Sequence, residues 1–221
     1  MEEASDPDEL EVGADASVLI DLVSGGRLPN LKDLFGTVAV PALVCAEIER
    51  GVARFPINKG ILRATWLLRV PAEDPEDLQL IADLHRSWRS APPDNAGEAE
   101  LVALSRRYGW IALLEDGQGR EGAAREGVHP VRMTTCAVAA AACGAMTVER
   151  AWGLHTGYHA RRTRPLAIGT TPADRARFEH AIEIVRRLNT KLDAPPWPQI
   201  LRHPTLAPGV LDELVAKSAG R

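Results

Sequence analysis

The chain of 221 residues is 45% hydrophobic and 25% charged, as is usual for a globular protein of one or two domains. No window comes near about 18 uninterrupted apolar residues, and the acidic start lacks a basic stretch followed by an apolar one. Neither a membrane span nor a signal peptide is therefore predicted. Three cysteines without the spacing of metal ligands indicate reduced core residues of a cytoplasmic protein and argue against a structural zinc site.

The net charge of −4 is unevenly distributed along the chain. Residues 1–11 contain six acids and no base, and we expect this stretch to be an acidic flexible tail. Residues 150–202 contain ten Lys or Arg and four acids, which is a local net charge of +6. A segment of this charge either contacts phosphate groups or forms a solvated helical surface, and the sequence leaves both interpretations open.

Short apolar runs alternate along the chain with segments of helical periodicity. In chain order, strands are predicted at residues 12–16, 37–40, 110–114 and 129–133, with residues 66–70 as a candidate edge strand. Helices are predicted at residues 17–23, 28–35, 41–52, 74–88, 96–108, 119–126 and 134–144. Because strands alternate with helices four times, we expect right-handed crossovers and an α/β fold around a mainly parallel sheet.

This alternation ends near residue 146. Three further helices are predicted after it, at residues 147–162, 171–192 and 209–217. The predicted organisation is therefore the tail at residues 1–11, a domain at residues 12–146 and a helical C-terminal extension at residues 147–221.

Acidic residues lie beside the ends of the predicted strands. Asp15 follows the first strand, Glu47 lies in the helix after the second, and Glu98 begins the helix before the third. Glu115 and Asp116 follow the third strand directly. Because the carboxyl ends of parallel strands share one edge of a sheet, we expect these carboxylates to be neighbours there.

Two interpretations of these acids are open at this point. Locally, Asp15 or Ser17 is a typical N-cap of the helix that follows. As a group, unpaired acids at one edge raise one another's pKa, and the usual reason to tolerate this is a divalent cation. Oxygen ligands suit Mg²⁺ or Mn²⁺, and such ions support hydrolysis of phosphodiester bonds by activating water and stabilising the leaving oxygen.

Five motifs hold these residues in a characteristic order. They are Gly13-Ala14-Asp15-Ala16-Ser17-Val18-Leu19-Ile20, Val40-Pro41 before Glu47-Ile48, Gly97-Glu98-Ala99-Glu100-Leu101, Leu113-Leu114-Glu115-Asp116 before Arg120, and Val131 before Thr134-Thr135. As an ordered set over roughly residues 12–146 they resemble the PIN-domain family, which has a three-layer α/β/α fold and includes the VapC-type ribonuclease toxins. The bacterial subgroup whose third motif begins Gly-Glu is the most similar. Two motifs depart from that subgroup, with Glu115 in place of Asp and Met133-Thr134-Thr135 in place of Gly-Thr.

The resemblance implies roles for individual residues. Asp15, Glu47 and Glu98 would be metal ligands with catalytic roles, and Asp116 would be the fourth, with or without Glu115. The side chains that would line the site are Ser17, Arg120, Thr134 and Thr135.

The activity implied is that of an endoribonuclease dependent on Mg²⁺ or Mn²⁺. The chain would be the toxin of a toxin–antitoxin pair, with RNA, a cognate antitoxin and a second copy of itself as partners. The basic C-terminal helices would bind the RNA backbone, through Arg161, Arg162, Arg164, Arg186 and Arg187. The alternative is a PIN-fold binding or regulatory protein with little or no nuclease activity, which uses those helices as a protein or nucleic-acid interface.

Four other polar residues are assigned to the surface. Glu100 lies two residues from Glu98 on a different helix face, and Asp21 lies in the first helix, so we expect both to be solvated. His155 and His159 have a spacing that suits a metal on a helix, but a third ligand is not evident, so we expect a surface pair.

Overall fold

The computed structural model of the protein describes residues 6–88, 95–160, 168–191, 197–206 and 210. At its centre is a sheet of five strands, namely β1 Val12–Ala14, β2 Val38–Pro41, β3 Leu67–Val70, β4 Ile111–Leu113 and β5 His129–Val131. All neighbouring strands are parallel, in the order β3-β2-β1-β4-β5. The expected parallel sheet is confirmed, and the candidate strand before Pro71 forms one of its edges.

Ten α-helices are found within the described residues. They are α1 Ala16–Ser24, α2 Pro29–Phe35, α3 Ala42–Gly51, α4 Lys59–Leu62, α5 Pro75–Ser87, α6 Ala96–Tyr108, α7 Gly117–Arg125, α8 Met133–Ala142, α9 Val148–His159 and α10 Arg175–Lys191. In this part of the chain none of them combines the length and apolar character that crossing a bilayer requires. The helix predicted at residues 209–217 lies outside the described residues, apart from residue 210.

Side chains alternate across the sheet, so each strand contributes to two cores. Ile111 and Leu113 of β4 face a core shared with α1, α2, α8, α9 and α10. Ala112, between them, faces a second core formed with α5, α6 and α7. The three-layer α/β/α architecture is therefore confirmed.

Gly13 allows α6 to approach β1 closely. A Cβ atom at this position would lie 2.6 Å from Cδ1 of Leu101 and 3.1 Å from Cε3 of Trp110. A side chain here would have to push aside the buried side chain of Leu101, which belongs to α6, the helix whose first turn carries Glu98. The absence of a side chain at Gly13 thus leaves room for Leu101 and Trp110 to pack directly on β1.

Residues 6–11 differ from the flexible tail expected for them. Pro7–Glu9 form a 3-10 turn, capped by the side chain of Asp6, and Leu10 is buried beside Trp110. The indole Nε1 of Trp110 donates a hydrogen bond to the carbonyl oxygen of Pro7, at 3.1 Å. Burial of Leu10 holds this stretch against the sheet, although its acidic composition predicts a solvated segment.

The C-terminal extension shares the core of the domain before it. Leu154, Tyr158 and Phe178 are buried in the same cluster as the residues of β1 and β4. Residues 197–206 run along the amino-terminal edge of the sheet, where Trp197 Nε1 donates to the carbonyl oxygen of Leu34 at 2.8 Å. The boundary predicted at residue 146 therefore does not separate two hydrophobic cores.

Candidate functional site

A cavity of about 440 Å³ opens at the carboxyl-terminal edge of the sheet, beside the ends of β1 and β4. Its lining consists of Asp15, Ser17, Ile20, Asp21, Glu47, Asn95, Glu98, Glu115 and Asp116. All five acids predicted to converge are present, and no Lys or Arg is among the described residues of the lining. Shared strand ends therefore bring the predicted acids to one cavity.

Asp15 serves as a helix cap and as part of the cavity wall. Its Oδ2 accepts hydrogen bonds from the backbone N–H of Ser17, at 3.0 Å, and from the Ser17 hydroxyl, at 2.7 Å. Burial raises the pKa of Asp15, and the charge of Asp116 acts in the same direction, while the bonds from Ser17 oppose the rise. The two interpretations of Asp15 are thus compatible, because capping uses one carboxylate oxygen.

Glu98 is the most strongly perturbed acid of the site. It lies in the first turn of α6 with 6% of its surface exposed, and its Oε2 atom is buried without a hydrogen-bond partner among the described residues. Burial raises the pKa of Glu98 to about 8, and the charges of Asp15, Asp116 and Glu47 contribute to the rise. Such a carboxylate is costly when ionised unless a cation compensates its charge.

Glu115 and Asp116 have different surroundings, although they are adjacent in sequence. Oε1 of Glu115 accepts a hydrogen bond from the backbone N–H of Met133 at 2.8 Å, and Oε2 lies 3.3 Å from Nε of Arg132. Asp116 caps α7, with Oδ1 accepting from the backbone N–H of Gln118 at 2.8 Å. Glu115 therefore anchors the start of α8, and Asp116 is the better placed of the two to act as a ligand.

Asp21 is half-buried and lines the cavity, although it was not among the predicted site residues. It follows Ser17 by four residues on α1, and residues with this spacing share a helix face. The four-residue spacing from Ser17 could therefore have identified Asp21 as a residue of the site. Asn95, which precedes α6, also lines the cavity and was not among the predicted site residues.

Glu100 is buried, which contradicts the surface position expected for it. Its Oε2 accepts a hydrogen bond from the backbone N–H of Leu43 at 2.6 Å, and its Oε1 accepts from that of Ala72 at 3.1 Å. Burial raises the pKa of Glu100, and the two backbone donors oppose that rise. This carboxylate fastens the start of α3 to α6 and thereby fixes the helix that carries Glu47.

Thr134 and Thr135 are buried and do not belong to the cavity lining. Oγ1 of Thr134 lies 3.1 Å from Nδ1 of His155 and 2.8 Å from Nε2 of His159. Both histidines are buried, because α9 packs against α8, so the expected surface pair is wrong. The site-lining role that the resemblance implies for the two threonines stays a prediction.

The predicted arginines occupy varied positions. Arg120 donates to the carbonyl oxygen of Glu115, and its charge lowers the pKa of Glu98, so it acts beside the cavity. Arg186 donates to the carbonyl oxygen of Ala141 at 3.4 Å, and Arg187 pairs with Glu183 at 3.0 Å. Three further candidates lie outside the described residues, namely Arg161, Arg162 and Arg164.

The donor set fits a hard divalent cation in its chemistry. Across the described residues, no three or more His, Cys, Asp or Glu side chains form a ready metal-binding group. The acids share a cavity, and Glu98 has a buried oxygen without a hydrogen-bond partner in the described part of the chain. Carboxylate oxygens are the ligands that Mg²⁺ and Mn²⁺ prefer.

The fold and cavity together define a class, namely an α/β/α domain with an acidic site at the carboxyl edge of a parallel sheet. A family model described as a PIN domain (DUF3368) matches residues 12–144. The chain therefore belongs to the PIN-domain family, as its ordered motifs predicted. PIN domains are commonly nucleases and generally use divalent metal ions. No curated protein and no solved structure matches the chain.

Proposed function

We propose that this protein is an endoribonuclease that hydrolyses RNA phosphodiester bonds with Mg²⁺ or Mn²⁺. The observation that carries the proposal is the environment of Glu98. A buried carboxylate with a pKa of about 8, an oxygen without a hydrogen-bond partner among the described residues and three neighbouring acids is suited to a cation. Membership of a family that commonly contains nucleases supplies the reaction class.

Asp15, Glu98 and Asp116 would hold the cation from the floor and walls of the cavity, and Glu47 would do so from the exposed side of α3. Bound divalent ions would supply activation of water and neutralisation of charge at the phosphodiester. Ser17 keeps Asp15 oriented through two hydrogen bonds. The acidic lining repels a phosphate when no cation is present, so a requirement for metal follows from the charge of the cavity.

The test uses the full chain, a single-stranded RNA and a titration of Mn²⁺. We expect Asp15→Asn to lower the cleavage rate by at least a hundredfold, because related acids at metal sites act as a unit. Asp83→Asn is the matched control, since Asp83 is an exposed acid on α5, outside the cavity lining. Cleavage by Asp15→Asn at the wild-type rate would contradict the proposal.

Metal binding is measured separately from cleavage. Millimolar Mn²⁺ should raise the melting temperature of the wild-type chain, and the rise should be lost in Glu98→Gln. A shift near zero in a chain that cleaves no RNA would support the alternative of a binding or regulatory protein. The toxin role, a cognate antitoxin and a homodimer stay predictions of the family resemblance.

A further inference from the structure

A cationic surface begins in the last turn of α3 and continues on the segment after it. Residues 50–69 contain five Lys or Arg and no acid, although the whole chain has a net charge of −4. We define the α3–α4 surface as its exposed residues Arg50, Arg54, Phe55, Ile57, Lys59, Leu62 and Arg63. The proposed function assigns no role to this surface. Among such regions in the described part of the chain, it has the strongest concentration of positive charge.

The cations of this surface are available to an external anion. Within the described residues, Arg50, Arg54, Lys59 and Arg63 form no ion pair with an acid, and only Arg69 of this segment does so, with Glu49 at 3.8 Å. The helix α10 differs, because Arg175 pairs with Glu179 at 2.8 Å and Arg187 with Glu183. Its charge is thus partly neutralised within the chain.

Large apolar side chains are interspersed among these cations. Phe55, Ile57 and Leu62 are 46%, 45% and 42% exposed. The guanidinium carbon of Arg54 lies 5.2 Å from the ring centroid of Phe55, which is a cation–π arrangement. An exposed aromatic ring beside unpaired cations combines the two interactions that bind single strands, base stacking and phosphate attraction.

The surface is continuous with the helices that form the cavity. On α3, Arg50 follows Glu47 by about 4.5 Å of helix rise. The 3-10 turn Pro56–Asn58 and α4 both pack against α1, which carries Ser17 and Asp21. A Cβ atom at Gly60 would lie only 3.4 Å from Cγ2 of Val23 on α1.

We propose that the α3–α4 surface binds single-stranded RNA next to the acidic cavity, an inference that rests on the proposed function. Charge complementarity favours this occupant. The acidic lining repels a polyanion, and unpaired cations beside it recruit the strand. Exposed Phe55 favours a strand with accessible bases over a duplex, whose bases are stacked internally.

Two variants of the full chain test this surface by RNA binding in EDTA, where cleavage does not interfere. The double variant Arg54→Gln/Lys59→Gln should bind a fluorescent single-stranded RNA oligomer roughly tenfold more weakly at about 0.1 M salt, with a salt slope smaller by roughly 1.4. The control Arg86→Gln/Arg125→Gln removes the same charge from exposed positions on α5 and α7 and should change neither the affinity nor the salt slope.

Phe55→Ala should weaken RNA binding at least roughly fivefold, because it removes the ring on which a base would stack. Leu78→Ala, which truncates an exposed side chain on α5, is its control.

Binding by the Arg54→Gln/Lys59→Gln variant with wild-type affinity and salt slope would overturn the proposal, whether or not the chain cleaves RNA. If RNA binding depends on this surface but the chain cleaves no RNA, the inference about the surface is supported and the proposed hydrolysis fails. In a cleaving chain, the double variant should lose more activity on a long RNA than on a dinucleotide, whose single phosphodiester occupies the cavity. An equal loss on short and long RNA would instead indicate damage to the cavity and overturn the proposal.

Discussion

Oε2 of Glu98 lies against Gly119 of α7, where a Cβ atom would approach it to 2.9 Å. The contact joins α6 to the helix that Asp116 caps. Because the opposing atom is the end of a flexible side chain, a methyl group there would move the carboxylate and leave the backbone in place. The absence of a side chain at residue 119 therefore determines where the Glu98 carboxylate lies.

Gly119→Ala should lower the affinity for Mn²⁺ without lowering stability. The added methyl group displaces Oε2 of Glu98, whereas alanine favours the helix by up to about 1 kcal/mol over glycine. Isothermal titration with Mn²⁺ and urea denaturation in EDTA measure the two effects. Gly117→Ala is the matched control in the same helix, because its Cβ would meet no atom within 4 Å. Equal Mn²⁺ affinities for the two variants would contradict the expectation.

The raised pKa of Glu98 predicts a pH dependence of stability in the absence of metal. Its pKa is about 8 in the folded chain and 4.5 when unperturbed, so the folded state binds the extra proton between these values. The free energy of unfolding should therefore fall as pH rises from about 5 to about 8 in EDTA. Because the pKa values of Asp15 and Glu100 are raised too, Glu98→Gln should reduce this fall without abolishing it, and should exceed the wild type at pH 8 by a few kcal/mol. Glu121→Gln, an exposed neighbour on α7, should retain it, and a flat wild-type profile would refute the assignment.

Substitutions of Glu115 and Asp116 should affect different properties, stability in the first case and metal affinity in the second. Glu115→Ala leaves the Met133 N–H and Arg132 without their carboxylate, which should cost about 1–3 kcal/mol of unfolding free energy. Asp116→Asn keeps a capping oxygen and should cost little stability but weaken Mn²⁺ binding at least tenfold. Chemical denaturation and metal titration of both variants provide the comparison. The reverse pattern would make Glu115 the ligand.

The common location of Asp15, Glu98 and Asp116 at one edge of the sheet could be predicted, because it depends on the topology of the fold. Alternation of strands and helices implies a parallel sheet, and parallel strands end at one edge. Helix and strand limits differ by a few residues from their predictions, since terminal turns depend on tertiary contacts. The acids could therefore be assigned to one edge before any distance was known.

The roles of Glu100 and His155 depend on contacts that have no local signature. The partner of Glu100 is the N–H of Leu43, 57 residues away, and that of His155 is Thr134, 21 residues away. Helical periodicity assigns a residue to a face, but it does not identify which other helix covers that face. Polar residues on α6 and α9 were thus assigned to solvent although α3 and α8 pack over them.

The hydrogen bonds of Thr134 should stabilise the packing of the C-terminal helices against the PIN domain. Nε2 of His155 lies 3.0 Å from the carbonyl oxygen of Gly169 and donates to it, so Nδ1 of the neutral ring accepts from the Thr134 hydroxyl. Nε2 of His159 then donates to Oγ1 of Thr134. Thr134→Val keeps the shape of the side chain but removes both bonds, and we expect a loss of about 1–3 kcal/mol.

Urea denaturation at pH 7.5 measures this loss, and Thr135→Val is the control, because Thr135 is equally buried and forms no side-chain hydrogen bond among the described residues. Burial lowers the pKa of His155 below 6.5, so the unfolded state binds the extra proton and wild-type stability should fall as pH drops below about 6.5. Equal stability of the two valine variants would show that the Thr134 bonds contribute nothing to the attachment of α9.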